Sequence, residues 1–230
     1  MNTNKIVYAI DKLLPSSDCY TTLRKEFKKY KGLLHSIKLN SMIYTTDIDE
    51  LCLLSTVYDV PLFFDLKLYD TPITVYNTIA NMPPEVKYIT VTFASHNHYS
   101  IEAAAKASYD FNKEIFIVSV LTSSITTKSY IKNYNIYLAN NVVELNKKYE
   151  SKLGMVVPAD YVKGVKAIDS SIITLTPGLA VNKDQLKDYK KQYSVGLVEE
   201  VKSSGGDLFV LGRNMLEPKE LIKLNEELND

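Results

Sequence analysis

Short runs of branched and aromatic residues alternate along the chain with longer polar stretches of helical period. Residues 6–10, Ile-Val-Tyr-Ala-Ile, predict a strand, and residues 17–31 then place Leu23, Phe27 and Tyr30 on one helical face. A second strand is expected over 33–38, followed by a helix over 47–58 with Thr46 as its N-cap. Further strands are expected over 62–67, 88–93, 115–121, 155–157, 172–176 and 208–211. Between the fourth and fifth lies the Ala-rich stretch 101–108, a composition that favours helix. The sixth strand, beside Gly154, carries the weakest signal, and the charged stretches 183–191 and 217–227 read as solvated helix surface.

Eight candidate strands, each with room for a helix after it, fit repeated crossover units and predict an α/β fold of (β/α)8 TIM-barrel type. An open doubly wound sheet is the rival, but no GxGxxG follows the first strand and GxxxxGK[ST] is absent. No linker or compositional break divides the chain, so residues 1–230 are expected to form one barrel domain. The composition, 46% hydrophobic and 23% charged, suits one large core. With 27 basic and 27 acidic side chains the net charge is zero, which argues against nucleic acid as the main partner. No apolar run is long enough to span a membrane, and the first residues lack the pattern of a secretory signal, so a cytoplasmic protein is expected. Cys19, Cys52 and three histidines make neither a disulfide framework nor a structural metal site.

In such a barrel the chemistry sits at the C-terminal ends of the strands, so polar residues that close apolar strands carry weight. Here these are Asp11, Lys38, the pair Asp65 and Lys67, then Thr122 and Ser123, and finally Gly212 and Arg213. The densest cluster runs from Phe63 to Thr74. Strand alternation places Phe63, Asp65 and Lys67 on one face and Phe64, Leu66 and Leu68 on the other, with the charged pair pointing into the barrel near its rim. A buried ion pair costs several kcal/mol per ion in desolvation and is a poor device for stability alone. A Lys between two carboxylates, Asp65 and Asp70, would be held in its ammonium form and could stabilise a developing carbanion and then protonate it. That equipment suits decarboxylation or enolate chemistry. His96 and His98 read as solvent-exposed loop residues, and the tyrosines as packing.

The last strand runs from Gly205-Gly206-Asp207 into Gly212-Arg213, and Thr176-Pro177-Gly178 makes a corner after the seventh. Phosphate sites of barrels lie after these two strands, where backbone N–H groups and an arginine grip a dianion, so a phosphorylated substrate is expected.

On these residues the sequence resembles the orotidine 5'-monophosphate decarboxylases. The resemblance rests on Ala9-Ile10-Asp11, Ile37-Lys38, the string Asp65-Leu-Lys67-Leu-Tyr-Asp70-Thr-Pro72-Ile-Thr74, Leu121-Thr122-Ser123, Thr176-Pro177-Gly178 and Gly212-Arg213, in family order. It implies decarboxylation of orotidylate to uridylate without metal or cofactor, in a homodimer of barrels. By matching position, Asp11 and Lys38 would contact the ribose, Asp65 would face the substrate carboxylate, and Lys67 would protonate C6. Asp70 and Thr74 would reach into the partner subunit's site. Thr122, with Ser123, would meet the pyrimidine edge; Pro177, Gly178, Gly212 and Arg213 would surround the phosphate, and the loop after Pro177 would close over it. Gln185 would be the phosphate-contacting amide, with Asn182 the alternative that a short, archaeal-like loop would place there. Leu179-Ala180 replaces the arginine of many bacterial members, which also looks archaeal, and Asn40, Thr71 and Phe93 replace common Gly, Ile and His. Metal-dependent phosphosugar relatives, of keto-gulonate-phosphate decarboxylase or hexulose-phosphate synthase type, share the barrel and DxKxxD but lack the following Pro-x-Thr, here Pro72 and Thr74. A non-catalytic nucleotide-binding module is disfavoured because Lys38, Asp65, Lys67 and Asp70 are all present.

Overall fold

The protein is described by a computed structural model covering residues 4–10, 16–93, 98–120, 127–186 and 195–230. Its strands are β1 (Ile6–Ile10), β2 (Ser36–Leu39), β3 (Leu62–Leu68), β4 (Val86–Thr92), β5 (Glu114–Val118), β6 (Leu153–Val156), β7 (Thr174–Thr176), β8 (Leu179–Ala180), β9 (Gly196–Leu197) and β10 (Leu208–Leu211). All but β8 and β9 form one closed parallel barrel in which β1 pairs with both β2 and β10; β8 and β9 make a separate two-stranded pair after the seventh barrel strand. Parallel neighbours need crossovers, and these carry α1 (Ser16–Lys29), α2 (Ile48–Tyr58), α3 (Pro72–Ala80), α4 (His98–Asp110), α5 (Lys128–Tyr149), α6 (Val162–Lys166) and α7 (Val198–Ser203), with α8 (Pro218–Asn229) following β10. The expected (β/α)8 barrel is the fold. No helix among the described residues is long and apolar enough to cross a membrane.

The strands read as continuous apolar runs because both faces are covered. Outward residues pack under the helices in one large cluster, while Val7, Phe63, Tyr88, Phe116, Leu175, Leu208 and Val210 fill the barrel. Phe63 and Phe116 stack there with ring centroids 5.5 Å apart. This explains the weak sixth strand: a Cβ on Gly154 would lie 2.7 Å from the Phe116 ring and from the Ile173 carbonyl, so the large aromatic is accommodated by the missing side chain opposite.

Two polar anchors tie strand starts together. Asp207 accepts from the Thr174 N–H at 2.7 Å and pairs with Lys166 at 2.7 Å, linking β10 to β7 and α6. Lys113 is 4% exposed, and its ammonium donates to the Pro83 and Val86 carbonyls at 2.6 and 2.7 Å and to Met82 at 3.4 Å.

Several boundaries differ from expectation. β2 starts at Ser36, because the Leu33 N–H still closes the turn that ends α1 by donating to the Tyr30 carbonyl. β7 starts at Thr174, and the described part of β5 ends at Val118. Asp47 caps α2, its carboxylate accepting the Asp49 N–H at 2.8 Å, while Thr46 is buried. His98 opens α4 and sets its ring against Tyr99; His96 lies outside the described residues. Residues 183–184 form a turn and 185–186 a piece of 3-10 helix rather than α-helix, residues 187–191 lie outside the described set, and α8 carries the second charged face.

Candidate active site

The site grows from an irregularity in β3. Phe64 pairs with Ile89 and Leu68 with Val91, so β3 advances four residues while β4 advances two. The excess is even, and the predicted alternation survives it. Phe63 fills the barrel, Phe64, Leu66 and Leu68 belong to the outer packing, and Asp65 and Lys67 line a chamber at the C-terminal mouth. Lys67 has φ +49°, a left-handed conformation that costs a non-glycine residue roughly 1–3 kcal/mol and persists only where its surroundings hold it. Here both neighbouring strands do so. From β4, Thr90 Oγ1 accepts the Lys67 N–H at 2.8 Å and Thr92 Oγ1 donates to the Lys67 carbonyl at 3.1 Å. From the end of β2, Asn40 Nδ2 donates to the Asp65 carbonyl at 2.9 Å.

Asp65 is 8% exposed, and its carboxylate is saturated with donors. Lys38 Nζ lies 2.5 Å from Oδ2, Lys67 Nζ 2.8 Å from Oδ1, and the Thr90 hydroxyl donates to Oδ1 at 2.9 Å. Burial pushes the Asp65 carboxyl up, but attraction and hydrogen bonding from Lys38 and Lys67 outweigh it and hold the group below its ordinary range. Within one chain the arrangement is therefore a carboxylate between two ammonium groups, not the expected Lys67 between Asp65 and Asp70. The physical reason is the start of α3: Asp70 is exposed there and accepts the Thr71 N–H at 2.7 Å, while Thr74 bonds Thr71 through hydroxyls 2.9 Å apart. Neither residue lines the chamber. The Lys67 side chain, 34% exposed against 9% for Lys38, keeps contact with the opening.

The charged chamber, about 150 Å³, is closed by Val118, Val120, Val156, Pro158 and Leu175. Lys38, Pro177 and Val210 are shared with a second, larger space of about 510 Å³ lined by Tyr8, Ala9, Tyr30, Gly178, Gly212 and Arg213. The two adjoin, so a molecule with a flat apolar end and an anionic end could occupy both. Gly178, at φ +72°, makes the corner with Pro177 that the sequence located. Glu26, Lys29 and Glu217 form the outer wall, with Lys29 and Glu217 paired at 2.8 Å.

The structure thus brings together Lys38, Asp65, Lys67, Pro177, Gly178, Gly212 and Arg213. Asp11, Thr122 and Ser123 lie outside the described residues. Gln185 and Asn182 line neither space: Gln185 Oε1 accepts the Val181 N–H at 2.8 Å, and Asn182 Oδ1 accepts the Gln185 N–H at 3.1 Å, which commits both amides to their own turn. Sequence reasoning missed Thr90 and Thr92; their signal was a pair of hydroxyls at strand period in an otherwise apolar run.

A buried carboxylate that fixes two amines at the mouth of a parallel barrel, next to a Gly-Arg corner, is equipment for managing negative charge on carbon, and it assigns the protein to the (β/α)8-barrel enzymes. The family described as orotidine 5'-phosphate decarboxylase / HUMPS matches residues 29–222, and the chain belongs to it. The orotidine 5'-phosphate decarboxylase of Nautilia profundicola is 30% identical over 221 residues, covering 91% of this chain and 90% of the relative. That of Streptococcus uberis is 26% identical over 216 residues, covering 93% and 91%. Among solved structures, orotidine 5'-phosphate decarboxylase from Thermotoga maritima superposes with a TM-score of 0.68 at 22% identity, covering 97% of this chain and 98% of that one. The orotidine 5'-monophosphate decarboxylase of Methanocaldococcus jannaschii, complexed with the inhibitor BMP, gives 0.70 at 19% identity with 99% of each chain covered. At these identities the structures speak for the fold.

Proposed function

We infer that this chain decarboxylates orotidine 5'-monophosphate to uridine 5'-monophosphate and carbon dioxide, a step of pyrimidine biosynthesis. The observation that carries the reading is Asp65 fixed between Lys38 and Lys67 in a chain of this family. With the pyrimidine in the smaller chamber, the substrate carboxylate faces Asp65, and their repulsion raises the ground state relative to a transition state in which that charge leaves. The C6–carboxyl bond breaks, carbon dioxide departs, and the electron pair stays on C6 beside the Lys67 ammonium. The Nζ proton then passes to C6, and Lys67, being partly exposed, recovers a proton from water.

The phosphate takes the larger space, held by Arg213, the Gly212 backbone and the Pro177-Gly178 corner, so binding energy remote from C6 assembles the charged site. Asp11 joins Lys38 at the ribose, and Thr122 with Ser123 meets the pyrimidine edge. For Gln185 or Asn182 to reach the phosphate as the loop after Pro177 closes, either amide must give up its turn partner. The working unit is a homodimer in which Asp70 and Thr74 complete the partner's site. Their exposure supports this, as does that of Tyr69 and Ile73 beside them, 53% and 65% exposed. The enzyme acts in the cytoplasm, in keeping with two free cysteines.

The test is loss of orotidylate absorbance on mixing with purified protein in the presence of a chelator, abolished by Lys67→Ala. Turnover of a sugar phosphate with a metal requirement, and none of orotidylate, would overturn the reading. Mixing inactive Lys67→Ala and Asp70→Ala proteins after dissociation should restore activity, since each mixed dimer regains one intact site; no recovery would count against the shared site.

A further inference from the structure

We propose that Thr90 is a positioning residue for the reaction, its single hydroxyl fixing the Asp65 carboxylate and the Lys67 backbone relative to one another. The proposal rests on the reading that Asp65 and Lys67 are the working pair. Thr90 is 1% exposed and is the β4 residue opposite the bulged segment, between Ile89, which pairs with Phe64, and Val91, which pairs with Leu68. A hydroxyl carries one proton and two lone pairs. The Lys67 N–H, donating at 2.8 Å, occupies a lone pair and leaves the Thr90 proton to point at Asp65 Oδ1, 2.9 Å away. One side chain therefore holds the left-handed turn at Lys67 and orients the carboxylate that Lys67 Nζ approaches at 2.8 Å.

The carboxylate has two oxygens and three side-chain donors, Lys38 on Oδ2 with Lys67 and Thr90 on Oδ1. Two flexible ammonium groups can follow a rotating carboxylate, whereas the Thr90 hydroxyl sits on a barrel strand and cannot. It is the donor that sets the rotation of Asp65 and with it the place from which Lys67 reaches the substrate carbon. Backbone donors or apolar side chains at position 90 would not supply both bonds. Sub-ångström placement of this kind is where rate is lost without loss of binding.

The experiment compares Thr90→Val, which keeps the shape and removes the hydroxyl, with Thr90→Ser, which keeps the hydroxyl. In Thr90→Val, kcat for orotidylate should fall about 10- to 100-fold with KM changed by less than about threefold. The acid limb of its pH profile should move to higher pH, because Asp65 loses a donor that favours its charged form while Lys38 and Lys67 still face it. Thr90→Ser should recover kcat to within about threefold of the parent. Carboxyl-carbon NMR titration of Asp65, assigned through Asp65→Asn, supplies a readout that needs no turnover and should show the same upward move in Thr90→Val only. Equal losses in the two variants, or an unmoved Asp65 titration in Thr90→Val, would overturn the proposal. Absence of orotidylate turnover in the parent protein would sink the functional reading instead, and the titration would still decide the role of Thr90.

Discussion

Replacing Asp65 by Asn separates what the charged cluster does for stability from what it does for chemistry. At an effective dielectric of about 20, the contacts at 2.5 and 2.8 Å are each worth about 6 kcal/mol of attraction. Taking Lys38 and Asp65 out of water costs several kcal/mol per ion, so the net worth of the intact cluster is close to zero. Removing the negative charge alone is different, since the ammonium of the buried Lys38 then faces an amide where it faced a carboxylate. Breaking a buried pair in this way costs roughly 3–5 kcal/mol. For a chain of this size that corresponds to a fall in Tm of roughly 6–20 °C.

The assay is denaturant and thermal unfolding of Asp65→Asn beside Lys38→Met/Asp65→Asn, with orotidylate turnover of both. The double variant removes the buried cation as well and should regain most of the lost stability, to within about 1 kcal/mol of the parent, because neutralising both partners of a buried pair is often neutral. Turnover should stay abolished in both. If Asp65→Asn were as stable as the parent, or the double variant no more stable than the single, the argument that the cluster is kept for chemistry would fail.

The Asp65 carboxyl is held below its ordinary range by Lys38 and Lys67 against burial, so its stabilising effect is complete above the unfolded value of about 3.9 and is lost as pH falls through the folded one. The stability gap between parent and Asp65→Asn should thus be flat above about pH 5 and close on further acidification, as acid-unfolding curves would show. Gly154→Ala forces a methyl to 2.7 Å from Phe116 and the Ile173 carbonyl and should destabilise by about 1–3 kcal/mol in urea unfolding, whereas Gly164→Ala, with nothing within 4 Å, should not. Lys113→Met takes a donor from three carbonyls, of which the Val86 contact is the buried one while Pro83 keeps the Val86 N–H, and should lower stability by about 1–3 kcal/mol in the same assay, with orotidylate KM unchanged.

The barrel was legible because a strand covered on both faces reads as an unbroken apolar run and each was followed by helical period, and the charged pair was legible because side chains alternate along a strand. What escaped the sequence depended on partners distant in the chain. Thr90 and Thr92 look like ordinary strand threonines until β4 is laid against the bulge 25 residues earlier. Asp70 reads as a neighbour of Lys67 by spacing, but the turn into α3 swings it outward to meet the Thr71 N–H. Thr46 reads as the cap of α2 by residue type, yet it is Asp47, in extended backbone, whose carboxylate takes the Asp49 N–H, while Thr46 is buried. Gln185 and Asn182 read as phosphate ligands by position, yet local N–H groups claim both side-chain oxygens.

The parity of the bulge shows how the neighbours of β3 decide whether its motif works. A one-residue excess would have rotated the end of the strand by half a period, turning Leu66 and Leu68 toward the mouth and Lys67 under the helices. An excess of two keeps Asp65 and Lys67 on the side of Phe63 and restores pairing at Leu68 with Val91. The irregularity still takes backbone groups of Asp65 and Lys67 out of the regular ladder and puts Lys67 at positive φ. Those groups are not left bare: Asn40 bonds the Asp65 carbonyl, Thr90 the Lys67 N–H and Thr92 the Lys67 carbonyl. The replacements come from side chains of β4 and the end of β2, so Asp-x-Lys alone does not build this site. The same Asp and Lys on a straight strand, or beside valines at 90 and 92, would bring the charges to the mouth without fixing their separation, and separation is what the proton transfer requires.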